Sequence, residues 1–158
     1  MIDKIDRSIM TILQSNARIP NTEIAKQVGM APSGVLERLR KLENHGIVEG
    51  YTTRLNAQAL DFGFAAFVFV KTDDMVGENK TAKLLAKIPE VLEVHHTAGE
   101  DCYLLKVRAT DTKHFATILR EKIGKIKTVR ATRSTIVLET MKETTALPIE
   151  SAGDANES

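Results

Sequence analysis

The chain is poor in the features that most sharply define a protein class. Among its 158 residues there is one cysteine, Cys102, so neither an intrachain disulfide nor a cysteine-built zinc cluster is possible. No apolar run approaches the length of a membrane span and no signal peptide opens the chain, so a reducing cytoplasm is the expected setting. No phosphate-cradling glycine loop, nucleophile elbow or HExxH is present, and we assign no catalytic residue, no metal site and no cofactor. His95 and His96 are adjacent on a predicted strand, so they point to opposite faces and cannot chelate one ion. Charge of one sign is also scarce, with a formal net of only +1. That near-balance hides a gradient, because residues 1–60 carry +2, residues 61–142 carry +3 and residues 143–158 carry −4. An acidic tail can mask a basic module in the total, so net charge neither supports nor excludes a nucleic-acid partner.

What is present is organised around Pro20 to Gly46, PNTEIAKQVGMAPSGVLERLRKLENHG. It reads as two short helices joined by a tight turn. Asn21 is placed to cap the first, whose apolar positions are Ile24, Ala25 and Val28. Gly29 stops it, and Pro32 suits the first position of the next helix, where a missing N–H costs little. Val35, Leu39 and Leu42 then form one narrow seam, and Gly46 closes the helix. At about 100° per residue, Ser33, Glu37, Arg40, Lys41 and Asn44 face away from that seam. A helix docked by one seam, with a polar and basic outer face, is what a major groove accepts, so the pair reads as a helix-turn-helix. The plain alternative is an αα-hairpin with a solvated outer face. Arg38 lies on the shoulder, about 60° from the seam's centre, where it could reach DNA or pair with an acid inside the domain.

These residues resemble the signature of the Lrp/AsnC (feast/famine) family of prokaryotic transcription regulators. The family's acidic–aliphatic–small triplet appears as Glu23-Ile24-Ala25 and its turn as Val28-Gly29-Met30, followed by Arg38-Leu39, Leu42 and Gly46. Ala31 stands where the family usually has Ser or Thr, which removes a helix-capping hydroxyl and any phosphate contact it would make. The resemblance extends over roughly residues 1–142. It implies double-stranded DNA as a partner, met by Pro32, Ser33, Gly34, Glu37, Arg38, Arg40 and Lys41. By general helix-turn-helix geometry, Ser33, Gly34 and Glu37 lie toward the base edges, while Arg40 and Lys41 suit phosphates.

The fold expected is α+β, with an N-terminal winged helix-turn-helix (1–52), a linker strand and connection (53–63), a ferredoxin-like βαββαβ domain (64–142) and an acidic, disordered tail (143–158). A first helix from about Asp3 to Asn16, capped by Asp3, contributes Ile5, Ile9, Ile12 and Leu13 to the head's core. Ile47 to Leu55 is β-rich and reads as a wing or hairpin; the resemblance implies a strand here that pairs with another subunit. Phe64 to Val70 is apolar enough for a strand buried on both faces. A helix over Asn79–Lys87 turns Ala82, Leu85 and Ala86 inward, and strands Val91–Ala98 and Cys102–Ala109 flank a tight turn at Gly99-Glu100-Asp101. Asp111 caps a second helix with Phe115, Ile118, Leu119 and Ile123 inside, and Val129–Glu139 is the last strand.

That turn offers backbone N–H groups and carboxylates together, which suits both ends of a zwitterion, although an ordinary solvated turn has the same composition. The resemblance places a free amino-acid effector here, at Gly99, Glu100, Asp101 and Cys102, with Ser134 and Thr135 on the other side of a crevice. It also implies a homodimer that assembles further, to an octamer. Two other readings share the scaffold. One is a siroheme-decarboxylase-like enzyme, with His95, His96 and Arg108 around a tetrapyrrole; the other is a ligand-dependent assembly protein that no longer binds DNA.

Overall fold

The computed structural model describes residues 2–75 and 77–149. The chain divides into two compact units, residues 1–54 together with the tail from Glu143, and Leu55–Lys142.

The first unit is three helices around one centre. Helix α1 (Lys4–Ser15) starts with a reciprocal capping box, in which Asp3 accepts from the Asp6 N–H at 2.8 Å and Asp6 accepts from the Asp3 N–H at 3.1 Å. Ile9 is fully buried and Met10, which the apolar pattern passed over, is also buried. Helix α2 (Asn21–Val28) begins one residue earlier than the capping argument expects. Asn21 is its first helical residue and makes no cap bond; the Pro20 carbonyl accepts from Glu23 and Ile24 instead. Gly29 at φ 68° supplies the left-handed turn, and helix α3 (Pro32–Asn44) follows with Pro32 in its first turn. Ile24, Ala25, Val35 and Leu39 close on Ile9 to make the core.

Ile47 to Leu55 forms no strand in the single chain. Among the described residues, 49–56 exchange no backbone–backbone hydrogen bond; only the Tyr51 hydroxyl, donating to Glu43 at 2.9 Å, ties the segment back to α3. A strand needs a partner, and among the described residues none pairs with this segment. The tail expected to be disordered begins as an anchored segment. Leu147 accepts from the Gln14 side-chain amide at 3.0 Å and donates to it at 2.6 Å. The rest of that expectation, residues 150–158, lies outside the described residues.

The second unit is the expected βαββαβ sandwich: β1 (Phe64–Thr72), α4 (Lys80–Leu85), β2 (Val91–His96), β3 (Tyr103–Ala109), α5 (Thr112–Thr117, continuing as a π-turn through Ile123) and β4 (Val129–Ile136). The antiparallel sheet runs β2-β3-β1-β4. Ala66, Val68 and Val70 of β1 pack with Leu105 and Val107 against Leu85, Phe115, Ile118 and Ile123. Only that face is sealed: Phe67, on the other face, stays 36% exposed, so β1 is not buried on both sides within one chain. In α4 the inward positions are Thr81 and Leu85, with Ala82 half-buried; Ala86 is exposed because helical spacing turns it away from the Thr81 and Leu85 face. Asp111 caps α5, accepting from the His114 N–H at 2.7 Å.

Candidate functional site

Two surfaces matter, one on each unit. On α3, the seam of Val35, Leu39 and Leu42 is buried, and Ser33, Glu37, Arg40, Lys41 and Asn44 are all exposed. Pro32 is exposed at the start of the helix. Gly34 is half-buried, and a Cβ there would meet the Met30 methyl at 3.0 Å, so this position serves the close approach of the turn. Of the two roles open to Arg38, the structure shows the internal pair. Its Nη1 donates to Asp3 at 2.6 Å and Asp6 at 2.8 Å, with the Arg38 side chain 26% exposed. Asp6 and then Asp3 hold the guanidinium above its usual pKa, and Asp3 is held below its own by the Asp6 N–H and then Arg38. Arg38 thereby fixes the angle of α3 against the start of α1. Glu37 accepts from Lys41 at 2.9 Å, and that bond lowers its pKa. Among the described residues Arg40 has no charged partner, so it is the cation of this face most available to an anion.

On the second unit, the connection between β2 and β3 is wider than the tight turn expected, running from Thr97 to Cys102. The Thr97 N–H donates to the Cys102 carbonyl at 3.0 Å, and the Thr97 hydroxyl donates to the Asp101 carbonyl at 2.8 Å. Gly99 sits at φ 146°, which excludes most side chains. Cys102 lies just outside β3, half-buried, its Sγ 3.9 Å from the Thr72 carbonyl. Glu100 is exposed, whereas Asp101 accepts from Arg133 Nη2 at 2.8 Å. The Arg133 guanidinium lies 4.1 Å from the centre of the Phe69 ring, reaching across β1 from β4. Sequence reasoning missed this arginine, because nothing local links positions 101 and 133.

Ser134 and Thr135 do not line one wall together. Ser134 is opposite Val68 and faces the helices, while Thr135 is opposite Phe67 on the open face. Behind the loop lies a second group that no sequence pattern announced. Thr81, fully buried, donates to Asp74 at 2.7 Å and lies 2.5 Å from the Thr128 hydroxyl, while the Tyr103 hydroxyl donates to the other Asp74 oxygen at 3.2 Å. Burial first, and then Asp74, raises the Tyr103 pKa.

The residues named for a tetrapyrrole do not converge. His95 pairs with Glu93 at 3.1 Å on the open face, and His96 stacks on Tyr103 on the helix face, 5.3 Å between ring centres. Arg108 donates to the Phe62 carbonyl at 3.4 Å, four residues along β3 from the partner of His95. Among the described residues no group of three His, Cys, Asp or Glu side chains could hold a metal ion.

A helix-turn-helix head with an uncovered polar and basic outer helix, joined to a ferredoxin-like domain with a polar loop, defines a two-domain DNA-binding regulator. Comparison with known proteins gives the family. Residues 2–49 match the winged helix-turn-helix DNA-binding model, and residues 65–147 match the Lrp/AsnC ligand binding domain. The chain is 38% identical over 150 residues to the HTH-type transcriptional regulator FL11 of Pyrococcus horikoshii, covering 94% of this chain and 97% of that one. It is 36% identical over 153 residues to the leucine-responsive regulatory protein of Escherichia coli, covering 94% and 92% respectively. Among solved structures, a transcriptional regulator of Neisseria meningitidis in complex with L-Met superposes with a TM-score of 0.87 at 34% identity, covering 94% of this chain and 97% of that one. The chain belongs to the Lrp/AsnC family.

Proposed function

We propose that this protein is a sequence-specific transcription regulator that grips duplex DNA with the outer face of α3 and answers to a free amino acid bound at the 97–102 loop. The observation that carries the reading is the uncovered face of α3, where Arg40 and Lys41 offer positive charge beside the shorter polar groups Ser33 and Asn44. Arg40 and Lys41 take phosphates, Ser33 and Glu37 approach base edges, and Pro32 and Gly34 set the turn that aims them. Arg38 acts through α1 rather than through DNA.

The active species is a symmetric oligomer: a homodimer that assembles further, to an octamer in the family's manner. Unpaired backbone in residues 49–56 supports pairing with a second copy. A two-fold dimer presents its recognition helices about 34–36 Å apart, one turn of DNA. The effector is an amino acid, as in the L-Met complex of the Neisseria relative. It is met by the loop backbone around Gly99, by Glu100, Asp101 and Cys102, and by Thr135 rather than Ser134 on the open face. Its preference for one assembly over another is what shifts the DNA-binding heads. The reading needs no cofactor, metal or catalytic group, and every relative reported above is named as a regulator. Among the described residues no helix is long and apolar enough to cross a membrane, which suits a cytoplasmic site of action.

The test is selection of bound DNA fragments by the purified protein, with and without a panel of free amino acids. One enriched motif, with recovery altered by at least one amino acid, is the expected outcome. Fragments recovered without any shared motif would end the DNA-binding reading, and indifference to every amino acid would end the effector reading.

A further inference from the structure

Leu36 is the one large apolar residue of α3 outside the buried seam. It is 39% exposed and belongs to neither core cluster. Helical spacing puts it about a quarter-turn from the seam's centre, on the flank opposite Arg38. The Arg38 flank is closed by Asp3 and Asp6 of α1, whereas the Leu36 flank carries the exposed Ser33 and Arg40 at i−3 and i+4. An isolated exposed leucine needs no explanation in general. This one stands in the first half of the helix, where side chains approach base edges, and next to Arg40, whose guanidinium has no charged partner among the described residues.

The one apolar group that protrudes from a major-groove floor is the C5-methyl of thymine, set among hydrogen-bond donors and acceptors. A leucine delivered to that floor gains its largest contact from that methyl. We propose that Leu36 is a specificity-determining residue that reads a thymine methyl in each half-site of the operator, with Arg40 anchoring the flank on phosphate. This rests on the DNA-binding reading above and adds to it the base that the flank prefers.

The test is a double-mutant cycle on the selected DNA. Each thymine is replaced in turn by deoxyuridine, which keeps the hydrogen-bonding edge and removes only the methyl. Fluorescence anisotropy at fixed salt then compares the parent with Leu36→Ala and Leu36→Met. At one thymine per half-site, uridine should weaken the parent roughly 3- to 10-fold, the worth of about one buried methyl or a little more. That penalty should vanish in Leu36→Ala and survive in Leu36→Met, which keeps the apolar bulk. The salt slope of Leu36→Ala should equal the parent's, since no charge is lost. The proposal is overturned if every uridine costs Leu36→Ala as much as it costs the parent, or if the salt slope falls. Failure of the parent to bind any selected fragment is a different result: it removes the DNA-binding reading together with this one.

Discussion

Thr81→Val tests the polar packing around Asp74 most directly. Valine has nearly the shape of threonine, so the change removes a hydroxyl and little else. In the folded chain that hydroxyl is fully buried and spends its single proton on Asp74 at 2.7 Å. The Thr128 hydroxyl, 2.5 Å away, must therefore be the donor to Thr81, and loses its acceptor in the variant. A hydrogen bond to a charged group lost in a buried site, with a second hydroxyl left unsatisfied, costs about 1–3 kcal/mol. For a unit of this size that lowers the melting midpoint by roughly 10 °C. The readout is built into the composition: the chain has no tryptophan and two tyrosines, Tyr51 in the head and Tyr103 in the second unit. In a Tyr51→Phe background, tyrosine emission during urea or thermal unfolding reports the second unit alone. Thr81→Ser keeps the hydroxyl and should lose much less than Thr81→Val. A Thr81→Val midpoint matching the parent's would refute the chain from Thr128 through Thr81 to Asp74.

Three further outcomes follow from the same geometry. Arg40→Ala should weaken DNA binding across sequences and reduce the slope of log K against log salt by about one unit; an unchanged slope takes Arg40 out of the interface. Asp101→Ala should reduce amino-acid binding in calorimetry while leaving effector-free DNA binding intact, and equal heats from variant and parent would discard the site. Asp3 has its pKa depressed in the fold, so its contribution to stability is complete above the ordinary value of 3.8 and is lost as pH falls through the lower folded value. Asp3→Asn keeps a capping side chain that does not titrate, and should flatten the head's acid-induced loss of stability below that pH; an identical acid limb in hydrogen exchange would contradict this.

Where a feature depends on neighbours in the chain, it could be read from residue order. The caps at Asp3 and Asp111, the left-handed glycines at positions 29 and 46, and the seam of Val35, Leu39 and Leu42 all took the places that helical period and capping chemistry predict. Asn21 failed because the helix starts one residue earlier, which puts Pro20 at the cap position and Asn21 inside the first turn, with no side-chain cap bond. Ala86 failed because α4 docks by Thr81 and Leu85, and helical spacing turns position 86 about 120° away from that face.

The sequence by itself determined the two units, the three helices of the first, the βαββαβ order of the second and the face that α3 leaves open, but not a strand over Ile47 to Leu55. Periodicity and turn chemistry act over three or four residues, and so need no knowledge of what lies opposite. Only the tertiary structure decided that Arg38 belongs to α1, that Asp101 is held by an arginine across β1, that Ser134 and Thr135 face opposite ways, and that Thr81 and Tyr103 meet at Asp74 with Thr128 bonded to Thr81. Those pairings depend on strand register and helix docking, which, Asp74 and Thr81 excepted, bring together positions 29 to 47 residues apart and leave no local periodic trace.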